Sequence, residues 1–133
     1  MVTCGLLAAS IMATIAAVAY RIRLDRYHNL YGPAVATIRS YLPPNGVVMG
    51  GSELGFALGF GPPLVDDRYL GYLSGERPDV FVVNEYYGGP MGHSPRMREA
   101  WQVSRMILKD QYHLVFDNAA FKIYVPNDAT TRR

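Results

Sequence analysis

The stretch VVMGGSELGFALGFGPPLVDD, residues 47–67, decides the fold that this sequence predicts. Its short apolar start with β-branched residues is typical of a buried strand, and the two glycines that follow allow a tight turn. Ser52 is then a plausible N-cap for a short helix, which Gly61-Pro62-Pro63 ends because proline has no amide hydrogen. Leu64-Val65 predicts the next strand. Strand, glycine turn, helix and strand in this order predict a parallel βαβ unit.

The N-terminal run from Val2 to Tyr20 carries no charged side chain. As a helix it would be about 28 Å long, close to the hydrocarbon thickness of a bilayer. Its many small residues allow close packing against other spans, and the arginines after it can reach the interface. We therefore expect a transmembrane helix with a basic flank at residues 1–25. A signal peptide ending near Ala17-Val18-Ala19 and a buried helix remain alternatives.

Length and composition limit what the rest of the chain can be. The 133 residues are enough for one domain, which we place at residues 26–126, followed by a disordered tail at 127–133. Cys4 is the only cysteine, so no internal disulfide or cysteine-based metal cluster can form. The formal net charge is +2, and no predicted helix combines clustered basic residues with interleaved aromatics. We therefore expect no nucleic-acid binding.

The remaining predicted elements complete an α/β fold. Residues 33–41 and 94–109 have apolar side chains at helical spacing. Residues 80–83 predict a second buried strand, and residues 112–116 with 121–125 predict an antiparallel hairpin. The expected fold is a small, mainly parallel, Rossmann-like sheet with helices on both faces and the hairpin at its edge.

Acidic side chains follow the predicted parallel strands. Asp66 and Asp67 come after one strand, and Glu85 comes after another. Because the carboxyl ends of parallel strands line the usual ligand crevice, these acids are candidates for acid–base chemistry or for a divalent cation. Capping and loop hydrogen bonds are the competing explanation, which we favour.

A glycine-rich loop would form the rim of this crevice. It carries Tyr86, Tyr87 and His93, which suit weak contact with a sugar or a partner loop. We expect no cofactor and no metal, since the three histidines lack metal-ligand spacing. Gly50-Gly51 departs from the dinucleotide pattern G-x-G-x-x-G, and Glu53 would repel a phosphate.

Several short motifs follow one another in an order typical of a known family. After the apolar span they are Ile38-Arg39-Ser40-Tyr41-Leu42-Pro43, Val65-Asp66-Asp67, Gly71-Tyr72-Leu73-Ser74-Gly75, Arg77-Pro78-Asp79-Val80-Phe81-Val82-Val83 and the closing residues 112–116 and 121–125. In this the chain resembles the C-terminal soluble domain of bacterial GT-C class membrane glycosyltransferases. Protein O-mannosyltransferase and aminoarabinose transferase relatives belong to that class.

The resemblance implies an accessory domain outside the cytoplasm that positions a polyprenyl-phosphate sugar or its acceptor. The family's catalytic aspartate lies in an early loop between membrane spans, so no catalytic residue carries over to this chain. The implied partners are membrane lipid and transmembrane helices of the same longer chain or of another subunit. The arginines after the span argue for the opposite orientation. Two alternatives remain: a membrane-anchored binding or scaffold module, and a Rossmann-like nucleotide binder that uses Gly50-Gly51 and Asp66-Asp67.

Overall fold

The computed structural model describes residues 12, 14–15, 17–18, 25–67, 69–84 and 95–128. Its helical elements are a π-helical turn at Tyr27–Tyr31, helix α1 at Gly32–Tyr41, a 3-10 turn at Ser52–Leu54, helix α2 at Gly55–Leu58 and helix α3 at Pro95–Gln111. Its strands are β1 at Val48–Met49, β2 at Leu64–Val65, β3 at Val80–Asn84, β4 at Tyr112–Asp117 and β5 at Phe121–Pro126.

The five strands form one mixed sheet in the order β2-β1-β3-β5-β4. Strand β1 is parallel to both of its neighbours, β2 and β3. Strand β5 is antiparallel to both of its own neighbours, β3 and β4. The hairpin of β4 and β5 therefore joins the sheet through β5, and β4 forms the edge.

The prediction of a mainly parallel, Rossmann-like sheet is wrong. Each parallel pair spans two residues, whereas β5 matches four residues of β3 and five of β4. The parallel strands are short because Gly50-Gly51 turns the chain away after β1. Pro62-Pro63 has no amide hydrogens to extend β2 toward its start. Most of the sheet's pairing is therefore antiparallel.

Helices pack on both faces of the sheet. Along β3 the side chains alternate, so that Val80 and Val82 pack with α1, and Phe81 and Val83 pack with α3. The α1 side also buries Ile38 completely, a contribution of about 1.5–3 kcal/mol for a side chain of that size. All four of these strand residues are buried. The core therefore has two layers separated by β3.

The predicted short helix after the glycine turn differs from the one observed. Gly51, not Ser52, occupies the N-cap position, and no side chain caps the turn. The helix ends at Leu58 because Gly59 adopts a φ of 94°, a left-handed conformation that favours glycine. This segment is therefore one 3-10 turn followed by a single turn of α-helix.

The predicted membrane span is not supported. Of its residues the structure describes Met12, Thr14, Ile15, Ala17 and Val18, which are helical and exposed. Within the described part of the chain, no helix has the length and apolar character that crossing a membrane requires. A span needs about 20 consecutive apolar residues. The prediction of a single-span membrane protein with an extracytoplasmic domain is therefore not supported. The other residues at 1–24, and residues 129–133 of the predicted tail, lie outside the described residues.

Candidate binding site

Four strands bring residues together at the end of the sheet where the parallel strands finish. We call this end the carboxyl edge. Strands β1, β2 and β3 all end there because they are parallel. Strand β5 begins there because it is antiparallel to β3, with Phe121 beside Asn84. This edge gathers the chain after β1, β2 and β3 and the turn that precedes β5.

One of the two predicted acids that follow β2, Asp67, makes the loop hydrogen bonds that we favoured as the competing explanation. The Asp67 carboxylate accepts hydrogen bonds from the backbone N–H of Tyr69 and of Gly71, both at 2.8 Å, and from Ser74 Oγ at 3.4 Å. It therefore holds the turn that follows β2. Asp66 is exposed. The third candidate, Glu85, lies outside the described residues.

The predicted rim falls on the same undescribed segment. Tyr86, Tyr87 and His93 all belong to residues 85–94, which the structure does not describe. Their proposed contact with a sugar or a partner loop stays a prediction.

Glu53 and Asn84 form the polar pair of the carboxyl edge. Asn84 Nδ2 donates a hydrogen bond to Glu53 Oε1 at 2.6 Å. The Tyr31 hydroxyl donates to the backbone oxygen of Glu53 at 2.8 Å. Glu53 is thus fixed through both its side chain and its backbone. A hydrogen bond to an ionised carboxylate is about twice as strong as one between neutral groups.

The two glycines before Glu53 allow close packing. A Cβ on Gly50 would lie 3.0 Å from Val82 Cβ and 2.7 Å from Leu54 Cδ1. A Cβ on Gly51 would collide with the Glu53 carboxylate and lie 2.7 Å from its Cδ. Gly51 therefore leaves room for the carboxylate, and Gly50 leaves room for the core.

This geometry speaks against the nucleotide-binding alternative. The Glu53 carboxylate lies over Gly51, where a phosphate would have to approach the backbone. Two negative charges at that distance repel each other. The helix that follows has four residues, too short for a macrodipole that would attract an anion. The glycine turn therefore serves Glu53 rather than a phosphate.

A cavity of about 380 Å³ opens beside the Glu53–Asn84 pair. We call it the carboxyl-edge cavity. Its described lining combines one acid, one base, one amide, three aromatic rings and two aliphatic side chains: Arg26, Tyr27, Leu30, Tyr31, Glu53, Asn84, Ala120 and Phe121. Binding pockets for small molecules commonly occupy 300–1,000 Å³ and combine apolar walls with a few polar groups. Its size and its lining both fit that description.

Three aromatic rings form one wall of the cavity. Tyr27 and Tyr31 are stacked, with ring centroids 5.4 Å apart and planes at 30°. Tyr31 meets Phe121 edge to face at 6.1 Å. Tyr27 is 61% exposed, so part of its ring is open to a ligand. Such rings offer flat apolar surface at a low entropy cost.

Two side-chain hydrogen bonds attach the π-helical turn to the carboxyl edge. Asn118 Nδ2 donates to the backbone oxygen of Leu30 at 3.0 Å, while its Oδ1 accepts from the N–H groups of Ala120 and Phe121. Tyr31 makes the second attachment through Glu53. Burial, together with the nearby Tyr27 and Glu53, raises the pKa of the Tyr31 phenol above its usual value. The phenol therefore stays protonated at neutral pH and keeps donating.

Sequence reasoning missed most of this site. Glu53 entered only as a group that would repel phosphate, and Asn84 was not singled out. They are 31 residues apart and meet because β1 and β3 are neighbours. Within the described ranges no group of three or more His, Cys, Asp or Glu side chains could hold a metal ion.

Neither a protein-family model nor a curated protein nor a solved structure matches this chain. The resemblance to GT-C class glycosyltransferases therefore stays a prediction. The contacts of the described residues are what supports a function.

Proposed function

We propose that this chain is a non-catalytic binding domain whose carboxyl-edge cavity holds a neutral sugar. One observation carries the proposal: the partly open Tyr27–Tyr31 stack lies on the same cavity as the Glu53–Asn84 pair. A pyranose has an apolar face of C–H groups and a rim of hydroxyls. The rings suit the face, and the carboxylate and amide suit the hydroxyls.

The charges of the lining favour a neutral ligand. Among the described lining residues, Arg26 and Glu53 bring one positive and one negative charge to the cavity. Neither sign dominates, so neither a cation nor an anion is strongly preferred. A carboxylate accepts about four hydrogen bonds, and Asn84 uses one of them. Among the described residues no other group donates to this carboxylate, so it keeps acceptor positions for sugar hydroxyls.

A binding role fits the lining better than a hydrolytic one. Enzymes that cleave glycosidic bonds commonly place two carboxyl groups on either side of the bond. Glu53 is the single carboxylate among the described lining residues, and it is already held by Asn84. We therefore assign Glu53 to positioning a ligand. Serving a glycosyltransferase that uses a polyprenyl-phosphate sugar would be one use of such a domain, and that use remains a prediction.

Isothermal titration calorimetry with methyl glycosides of mannose, glucose and galactose tests the proposal. We expect one of them to bind with a Kd of about 1 mM, which corresponds to about −4 kcal/mol. Tyr27→Ala should weaken that binding by about 2- to 13-fold, since an aromatic contact contributes about 0.5–1.5 kcal/mol. Glu53→Gln should weaken it by about tenfold, because a hydrogen bond to a charged group contributes about 1.5 kcal/mol or more.

Phe56→Ala is the matched control. Phe56 is an aromatic side chain that is 84% exposed and does not line the cavity. Its removal should leave the Kd unchanged. Binding that is lost equally in Phe56→Ala, or no heat from any of the three glycosides, would contradict the proposal.

A further inference from the structure

A second cavity lies on the face of the sheet that α3 covers. Its volume is about 520 Å³, within the range of small-molecule sites. The residues that matter are Trp101, Arg105 and Lys109 of α3 and Lys122 and Tyr124 of β5. We call it the cationic cavity.

Three positive charges surround this cavity without a matching set of acids. Trp101, Arg105 and Lys109 are spaced four residues apart, so they share one face of α3. Lys122 reaches the cavity from β5. None of the described lining residues is acidic. The cavity therefore differs from the carboxyl-edge cavity, in which one acid and one base balance.

Two of the three cations have no acidic partner in the part of the chain that the structure describes. Lys122 Nζ lies 3.2 Å from Asp117 Oδ2, so its charge is partly matched. Arg105 and Lys109 make no such ion pair among the described residues. The helix dipole explains Lys109, which lies in the last turn of α3. It does not explain why Arg105 and Lys122 line the same space.

The remaining walls are apolar and aromatic. Trp101 and Tyr124 are half-buried and pack against the core cluster on this face of the sheet. Their rings can hold a flat apolar group, and a guanidinium can bind a phosphate or carboxylate through two parallel hydrogen bonds. We propose that the cationic cavity binds a small ligand in which an anionic group, phosphate or carboxylate, is attached to a flat apolar body. The two cavities share Asn84, Ala120 and Phe121 as lining residues, but the charged and aromatic groups that carry this proposal line the cationic cavity alone.

Trp101 gives a direct measurement, because it is the only tryptophan in the chain. Its fluorescence is followed while the protein is titrated with phenyl phosphate, benzoate, benzyl alcohol or inorganic phosphate, with calorimetry on the same samples. Phenyl phosphate or benzoate should bind saturably and about tenfold or more tighter than benzyl alcohol, which lacks the charge. Inorganic phosphate, which lacks the apolar body, should also bind more weakly. Comparing the two anions shows whether phosphate or carboxylate is preferred.

Variants of α3 separate a built site from general attraction to positive charge. Arg105→Gln and Lys109→Gln should each weaken the tighter anion by about fivefold or more. Arg98→Gln is the control, because Arg98 is exposed on the same helix and does not line the cavity. Melting curves of Arg105→Gln and Arg98→Gln should match the parent, since these side chains are exposed. Lys109→Gln should lower the Tm by a few degrees at most, because it loses a favourable interaction with the helix dipole.

Three results would overturn the proposal. Benzyl alcohol that binds as tightly as the anions would mean that charge is not recognised. A loss in Arg98→Gln equal to that in Arg105→Gln would mean that the attraction is diffuse. No saturable signal in either fluorescence or calorimetry would mean that the cavity holds neither anion.

Discussion

Alanine at Gly50 and alanine at Gly51 should have opposite consequences, although the two positions are adjacent. At Gly50 the new methyl group would meet Val82 Cβ at 3.0 Å and Leu54 Cδ1 at 2.7 Å. The leucine methyl can rotate away, but Val82 is part of a buried strand and cannot move without the sheet. At Gly51 the three atoms nearest to the methyl would all belong to the Glu53 carboxylate. That end of a flexible side chain can swing aside.

The geometry sets the size of each effect. Overpacking of this kind costs about 1–3 kcal/mol, and a Gly-to-Ala change recovers about 0.4–1 kcal/mol by restricting the unfolded chain. Gly50→Ala should therefore lose about 1–2 kcal/mol and lower the Tm by several degrees. Gly51→Ala should lose about 1 kcal/mol or less, because the displaced carboxylate can be hydrated. It should, however, break the Glu53–Asn84 hydrogen bond and weaken sugar binding by about tenfold.

Thermal melts and calorimetry on the same preparations distinguish these outcomes. We expect Gly50→Ala to be destabilised yet to bind sugar normally below its Tm. We expect Gly51→Ala to be nearly as stable as the parent and to bind poorly. If both variants lose only stability, or if Gly51→Ala binds like the parent, the role we give to the Glu53 carboxylate is refuted.

Three further predictions concern the core and its response to pH. Val82→Asp puts an unpaired charge at a position that is 1% exposed, so the cooperative melt should disappear; a Tm within about 2 °C of the parent would contradict the two-layer core. Tyr112→Phe removes a buried hydrogen bond of 3.0 Å to the backbone oxygen of Pro78. Its loss should cost about 1 kcal/mol and lower the Tm by about 4 °C. An unchanged Tm would contradict a stabilising role for this hydrogen bond. Burial raises the pKa of the Tyr112 phenol, so its contribution is complete below the unfolded pKa of about 10 and is lost as the pH rises through the folded pKa. The Tm of Tyr112→Phe should therefore fall less steeply above pH 10 than that of the parent, and equal slopes would contradict this assignment.

The sequence predicted where the strands lie better than how they pair. The continuous apolar run at β3 correctly predicted a strand buried on both faces, and Val80 to Val83 are all buried. Its two neighbours are parallel β1 and antiparallel β5. No local pattern shows which strands will be adjacent, because such pairing joins residues about 30 to 40 positions apart. We assumed that the parallel strands before the hairpin would provide most of the sheet's pairing. The hairpin strand β5 provides most of it instead, so the predicted fold class was wrong.

The site was harder to predict for the same reason. Asp66 and Asp67 were chosen because they follow a strand. The Asp67 carboxylate instead accepts hydrogen bonds from the backbone N–H groups two and four residues later. That local use of aspartate is common in turns. Glu53 and Asn84 meet only through the pairing of β1 and β3. Tyr27 falls at the start of the predicted domain, before the first predicted helix at residues 33–41, so its place in a cavity was not anticipated.

Nuclear magnetic resonance of the ¹⁵N-labelled chain tests the central claim most directly. The backbone amides of Tyr27, Leu30 and Tyr31 belong to residues that line the carboxyl-edge cavity and do not line the cationic cavity. When the best-binding methyl glycoside is added, these signals should shift together and saturate with the Kd measured by calorimetry. The signals of α3 residues that face solvent, such as Arg98, should stay in place. Shifts that avoid Tyr27 and Tyr31, or that spread evenly over the chain, would contradict the assignment of this cavity as a sugar-binding site.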